Sequence, residues 1–327
     1  EAQRLLEILR QLRERGIGCL YVSHRLEEVF AIADRITVLR DGRTVFGARA
    51  SETSRDELVR HMVGRQITDY YPRRQPKPGE VLLSVKELDV DPSTVDGVRL
   101  RGIDFQVRAG EVLGIGGLLG AGRSELLLHL FGAWGRRRAG QVTLLGRPHL
   151  PASPADCLAR GLALVTEDRK GTGLILEQSV AFNLALSSLH QFTRRGSLDP
   201  HAEHVACDAL FQRLRIKAPS LETGVGGLSG GNQQKVVLGK ALMTQPKVIL
   251  LDEPTRGIDV GAKLEVYQLL RELADDGTAV VLISAELPEI LAVADRILVM
   301  REGRLAGEVP RAQATEESIM RLAAIRK

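Results

Sequence analysis

The segment EVLGIGGLLGAGRSELLLHLF, residues 111 to 131, constrains the fold more than any other. A short apolar run enters a loop in which Gly117, Gly120, Ala121 and Gly122 precede Arg123 and Ser124, and a helical pattern follows at once. Glycines let such a loop coil without Cβ clashes. Backbone N–H groups and a helix N-terminus then converge on one point, which suits a phosphate. The spacing Gly117-x-x-x-x-Gly122-Arg123-Ser124 is that of a phosphate-binding loop, with arginine at the usual lysine position. The Ser124 hydroxyl is placed to meet Mg²⁺. A glycine-rich strand-to-helix turn without a ligand is the competing reading.

The rest of the chain fits the architecture that this turn implies. VLLSVKELDV and VRLRGIDFQV alternate with a period of two and read as strands. GLALVTED, KVILLDEP and AVVLISAE are apolar runs of strand length, with helical patterns between them. Strands alternating with helices imply a largely parallel sheet in an α/β fold. The length of 327 residues suggests about two domains. DYYPRRQPKPGEVL, rich in Pro, Gly and charge, reads as a linker.

A repeat organises the two ends. Residues from Arg10 (RQLRERGIGCLYVSHRLEEVFAIADRITVLRDGR) and from Arg271 (RELADDGTAVVLISAELPEILAVADRILVMREGR) align without a gap at an offset of 261. Leu12, Gly16, Ser23, Leu26, Glu28, Ala31, Ala33, Asp34, Arg35, Ile36, Val38, Arg40, Gly42 and Arg43 all recur. Similarity at fixed offset signals duplicated architecture. The expected organisation is a C-terminal portion of a first domain at 1–68, a linker at 69–80 and a complete second domain at 81–327.

Composition narrows the function classes. Charged residues make up 26% and the net charge is +4, with bases and acids interleaved, as on solvated helix faces. Aromatics make up only 4%, which argues against a base-stacking platform for single-stranded nucleic acid. Cys19, Cys157 and Cys207 are far apart and form no zinc pattern, and they read as reduced thiols of a cytosolic protein. No apolar run approaches the roughly 20 residues that span a bilayer, and no secretion signal is visible. A membrane role is therefore expected to run through a partner.

Two further motifs carry chemistry. KVILLDEPTRGIDVGAK is an apolar strand ending in Asp252 and Glu253. The aspartate is placed to hold Mg²⁺, and the glutamate to polarise an attacking water. LSGGNQQK opens a helix, with Leu228, Ser229, Gly230, Gly231, Asn232 and Gln233 at its start. It reads either as an ordinary Gly-Gly turn with a helix cap or as a second anion-binding helix terminus.

MVGR (62–65), YPR (71–73), GLLGAGRSEL, TEDRKGTGL (166–174), LSGGNQQKV and LDEPTRGIDVGAK together resemble an ATP-binding cassette (ABC) ATPase over nearly the whole chain. More narrowly, the chain resembles the double-cassette subunit of bacterial monosaccharide importers of the ribose, galactose and xylose type. The resemblance implies a P-loop core with a mostly parallel sheet, antiparallel strands near the start of the cassette, and a helical subdomain at about 168–245. It implies ATP and Mg²⁺ as cofactors, ATP hydrolysis that energises sugar uptake, and a peripheral location on the cytoplasmic face of the plasma membrane. The implied partners are a first cassette half, transmembrane permease subunits and, indirectly, a sugar-binding protein, with no nucleic acid.

The resemblance also distributes residues over two ATP sites, each lying between the phosphate loop of one cassette and the signature of the other. One site would take His24, at the switch-histidine position, together with Leu228 to Gln233. The other would take Gly117 to Ser124, Asp252 and Glu253. Asp259 stands at the D-loop position. This second site departs from the family pattern three times. Arg123 replaces lysine, Ala285 stands at the position matching His24, and Glu167 stands where many cassettes carry a Mg²⁺-contacting glutamine. Arginine keeps the charge but is planar and differently directed, so this site is expected to bind ATP and turn it over slowly or not at all. Other readings are a non-hydrolysing nucleotide-binding fragment and a soluble cassette protein acting on ribosomes or DNA. The latter predicts a long charged insertion, and only a short Pro-rich linker is present. No aromatic residue near VKELDV suggests itself for stacking on adenine.

Overall fold

The computed structural model describes residues 2–23, 26–40, 42–63, 78–93, 97–194 and 196–324. They fall into two compact units, Glu1–Arg73 with Asp259–Leu264, and Arg74–Ile258 with Glu265–Lys327. His24, and residues 69–77 of the expected linker, lie outside the described residues.

The first unit contains helix α1 (Ala2–Glu14), helix α2 (Leu26–Ile32), the antiparallel hairpin β1 (Arg35–Arg40) and β2 (Arg43–Arg49), and helix α3 (Arg55–Val63). Its small core joins Leu26, Ile36, Val38 and Leu58, backed by Phe30, Val45 and Phe46. The Phe46 and His61 rings stack with centroids 4.1 Å apart.

The second unit opens with β3 (Val81–Asp91) and β4 (Leu100–Arg108), then β5 (Val112–Gly117), α4 (Arg123–Leu130), β6 (Arg136–Leu144) and β7 (Arg147–Pro148). Next come α5 (Pro154–Ala159), β8 (Leu162–Val165), α6 (Val180–Ala185), the short hairpin β9 (Thr193–Arg194) and β10 (Ser197–Leu198), and α7 (Pro200–Arg213). The chain continues through α8 (Gly230–Met243), β11 (Val248–Asp252), α9 (Val260–Asp275), β12 (Ala279–Ile283), α10 (Leu287–Val293), β13 (Arg296–Arg301), β14 (Arg304–Pro310) and α11 (Glu316–Ala324).

Two sheets build this unit. One has six strands in the order β14-β13-β5-β12-β11-β8, parallel except for the β13–β14 edge pair. The other is antiparallel, in the order β4-β3-β6-β7. Strands β11 and β12 are buried along their whole length, as their continuous apolar runs require of strands covered on both faces. One core cluster runs from Leu83, Val85 and Ile103 through Ile115 and Leu126 to Val281 and Met300, so it joins the two sheets. The small residues of β5 let a helix press onto it. A Cβ on Gly114 would lie 2.5 Å from Ile290 and 2.9 Å from Ala294, which fixes α10 tightly against the strand that enters the glycine loop.

The start of the helical subdomain expected at about 168–245 mixes several kinds of helix with a short hairpin. Strand β8 stops at Val165, because Asp168 turns the chain by accepting from the N–H groups of Lys170 and Gly171. SVAFNLALSSLHQF starts as α6, capped by Ser179, and tightens to a 3₁₀ helix over Leu186–Phe192. The hairpin β9–β10 follows, and Asp199 and Pro200 then start α7 as cap and first residue.

Candidate functional site

The C-terminal ends of β5, β11 and β12 lie side by side in the parallel sheet, and the residues that follow them form one cluster. In open α/β sheets ligands bind beyond these strand ends. Gly117 closes β5 with φ 150°. A Cβ there would stand 2.4 Å from the Met300 carbonyl oxygen, so the loop can leave the sheet only through glycine. Gly120 and Ala121 make the turn, with the Ala121 N–H donating to Leu118 O at 3.1 Å. Gly122, with φ 95°, stands at the N-cap of α4 and brings no side chain to accept from its first turn. The helix therefore presents its leading N–H groups without a capping acceptor from that position.

Asp252 ends β11 and is buried. The Ser124 side chain lies beside its carboxylate. Its Oδ1 is buried with no hydrogen-bond partner. Burial pushes the Asp252 carboxyl above the ordinary range, while the Ser124 hydroxyl and the Arg123 charge pull it back. Glu253 has left-handed φ at 49°, and its N–H donates to Ile283 O at 3.0 Å. This turn directs its carboxylate toward the end of β12, beside the Ala285 N–H. Burial likewise raises Glu253; Ala285 N–H and Arg123 oppose the shift, and Asp252 and Glu289 add to it.

Arg123 points inward rather than toward the open side of the loop. Only 7% of it is exposed. Its Nη1 donates to Ser284 O at 3.0 Å, and its Nη2 stands 3.9 Å from Glu253 Oε1. Behind this pair, the Ser284 hydroxyl donates to Glu289 Oε2 at 2.8 Å, and the Thr255 hydroxyl donates to the same oxygen. Thr255, Ser284 and Glu289 were not among the residues singled out from the sequence for this site. The signal for two of them was present, because Ser284 and Glu289 recur as Ser23 and Glu28 in the repeat.

The other sequence-derived positions lie elsewhere in the two units. Ser229 caps α8, accepting from Asn232 N–H at 3.5 Å and from Asn232 Nδ2 at 2.9 Å. Asn232 Oδ1 accepts from Lys217 N–H at 2.8 Å, and Gln233 Nε2 donates to Val225 O at 3.1 Å. Leu228 is half-buried and Gly231 buried. A Cβ on Gly230 would lie 2.9 Å from Arg169 Nη2 and 3.0 Å from Gly257 O. The Glu167 carboxylate pairs with Arg256, whose carbonyl accepts from Arg169 Nη1 at 2.7 Å. Asp259 accepts from Ala262 N–H at 2.9 Å and so caps α9. Ala285 is exposed. Among the described residues, no helix is long and apolar enough to cross a membrane.

Residues 100–256 match the ABC transporter family. The chain is 48% identical over 321 residues to the xylose import ATP-binding protein XylG of Moorella thermoacetica, covering 98% of this chain and 64% of that protein. It is 51% identical over 320 residues to the ribose import ATP-binding protein RbsA of Chromobacterium violaceum, covering 98% and 62%. The chain thus contains an ABC transporter domain at residues 100–256. It spans 62–64% of the length of these two curated relatives. Solved cassettes share the fold of this ABC cassette. A nucleotide-free ATP-binding cassette superposes with a TM-score of 0.60 at 22% identity, over 74% of this chain and 95% of that one. The dimeric post-hydrolysis cassette MJ0796, bound to ADP and Pi, gives 0.61 at 21%, over 70% and 99%. An ABC cassette is a nucleotide-binding module, so the cluster at the ends of β5, β11 and β12 is its candidate nucleotide site.

Proposed function

We propose that this chain is part of the ATP-binding subunit of a bacterial monosaccharide importer. In this reading its cassette binds ATP with Mg²⁺ and turns it over slowly or not at all. The relatives named for xylose and ribose import support the transport role. The observation that carries the site is the Ser124–Asp252 pair, with an orphaned, buried carboxylate oxygen beside an uncapped helix terminus.

The chain's own groups divide the work. The loop from Gly117 to Gly122 and the first turn of α4 offer N–H groups to phosphate oxygens. Ser124 and Asp252 fit Mg²⁺, because the serine hydroxyl offers lone pairs beside the Asp252 carboxylate, and Asp252 Oδ1 is buried with no partner of its own. The ion, when bound, neutralises charge on the phosphates. Glu253 would orient water, but its carboxylate faces Arg123 and lies beside the Ala285 N–H. Hydrolysis requires that arrangement to be undone, and Ala285 brings no imidazole to assist. Glu167 is held by Arg256. The signature turn, Leu228 to Gln233, is proposed to serve a nucleotide on another cassette, which in turn acts with membrane permease subunits.

Equilibrium dialysis with radiolabelled ATP tests the site. Binding by the chain that strengthens with Mg²⁺, and weakens about tenfold or more in Ser124→Ala and Asp252→Asn, is the expected result. Binding indifferent to Mg²⁺ and to both substitutions sinks this reading of the site.

A further inference from the structure

The peptide link between Ser284 and Ala285 is held through its carbonyl, which accepts from Arg123 Nη1 at 3.0 Å. Arg123 Nη2 stands 3.9 Å from Glu253 Oε1, so one guanidinium faces both groups. The Ser284 end of this clamp is anchored from behind. Ser284 donates its hydroxyl proton to Glu289 and accepts from Glu286 N–H at 3.0 Å, and Thr255 ties the same Glu289 oxygen to the loop after β11. Residues 284 to 289 are thus joined to the phosphate loop through one cation. The guanidinium offers several N–H groups in a fixed plane and engages a carbonyl and a carboxylate together. A lysine ammonium is a single point of charge on a flexible stem.

We propose that Arg123 is a positioning residue operated by nucleotide. It clamps the 284–285 peptide and yields to the terminal phosphate of a nucleoside triphosphate, which releases residues 284 to 289. Phosphate oxygens form charge-assisted bonds to a guanidinium that a neutral carbonyl cannot match. Once Arg123 turns to phosphate, Ser284 O loses its donor and Glu253 loses its facing cation. A diphosphate lacks the terminal group and leaves the clamp closed. The arginine is then neither a damaged lysine nor a passive anchor, because it reports triphosphate occupancy to α10. This proposal rests on the reading that the Gly117–Ser124 loop holds nucleotide.

Hydrogen–deuterium exchange of the full chain tests it, with Mg²⁺·AMP-PNP, Mg²⁺·ADP or neither, and nucleotide binding measured in parallel by dialysis. The Glu286 amide, which donates to the Ser284 hydroxyl, should exchange about tenfold faster with AMP-PNP than with ADP or no nucleotide, the factor for losing one hydrogen bond of ordinary net strength. A general tightening on ligand binding has the opposite sign. In Arg123→Ala this amide should exchange fast in all three conditions. Glu253→Gln, which keeps the Arg123–Ser284 bond, serves as a second variant should Arg123→Ala not fold, and should retain the AMP-PNP response at Glu286. AMP-PNP that binds without changing exchange at 284–289, or that slows it, overturns the clamp and leaves the nucleotide site standing. A chain that binds no AMP-PNP overturns both.

Discussion

The two copies of the repeat place the same elements at the same positions. Helix α2, hairpin β1–β2, a 3₁₀ turn and α3 of the first unit correspond, 261 residues on, to α10, hairpin β13–β14, a 3₁₀ turn and α11 of the second. Even the irregularity in the hairpin recurs, between Val38 and Leu39 and between Val299 and Met300. So does a side-chain bond. Ser23 donates to Glu28 at 3.2 Å, as Ser284 does to Glu289 at 2.8 Å. Burial does not recur. Among the described residues β1 pairs only with β2, whereas β13 also pairs with β5. Leu39 is 69% exposed where Met300 is fully buried, and Val22 is 88% exposed where Ile283 is 1% exposed. Local sequence sets the elements and their bulge, and neighbouring strands decide which side chains become core.

That contrast can be broken at matched positions. The largest difference is expected at the equivalent pair Met300 and Leu39. Met300→Ala should cost about 2–5 kcal/mol in urea unfolding, as a fully buried side chain lost from a packed core. Leu39→Ala should stay within about 0.5 kcal/mol. Equal costs would mean that the exposure of the first hairpin is not its state in solution. A smaller contrast is expected at Glu289 and Glu28. Glu289→Ala strands the Ser284 and Thr255 hydroxyls in a buried setting and should cost about 3 kcal/mol, against about 1 kcal/mol for the half-buried Glu28→Ala.

The smallest effect concerns pH. Burial raises the Asp252 carboxyl above its unfolded value of 3.8, so the native state binds its proton more tightly than the unfolded chain does. Stability is then lost as pH rises from the unfolded value through the raised folded one. Asp252→Asn should therefore be slightly more stable than the parent at neutral pH, with the gain vanishing in acid below the unfolded pKa. Thermal melts across this range check the sign, and a variant less stable at neutral pH contradicts it.

Much of the site was legible because its parts are local. Glycine spacing marks the loop, an apolar run marks β11, and Asp252 and Glu253 follow it in sequence. What the sequence hides is where side chains turn. The direction of Arg123 depends on the end of β12, more than 150 residues away in the chain, and Ser284 offers a backbone carbonyl that no residue pattern encodes. Glu167 looks like a metal contact by position, yet its partner Arg256 lies in a different loop. Hairpin β9–β10 is only two residues per strand, too short for an alternation to register. Ser284 and Glu289 appeared only as recurring letters until the structure showed the bond between them.

The most direct test of the central claim, that Arg123 makes this a binding site rather than an engine, is steady-state ATP hydrolysis. It would be measured for the chain alone and after mixing with a cassette that carries a lysine phosphate loop. The account predicts no turnover above background alone, turnover on mixing, and no loss of that turnover in Glu253→Gln. Robust turnover by the chain alone, abolished by Glu253→Gln, would contradict it.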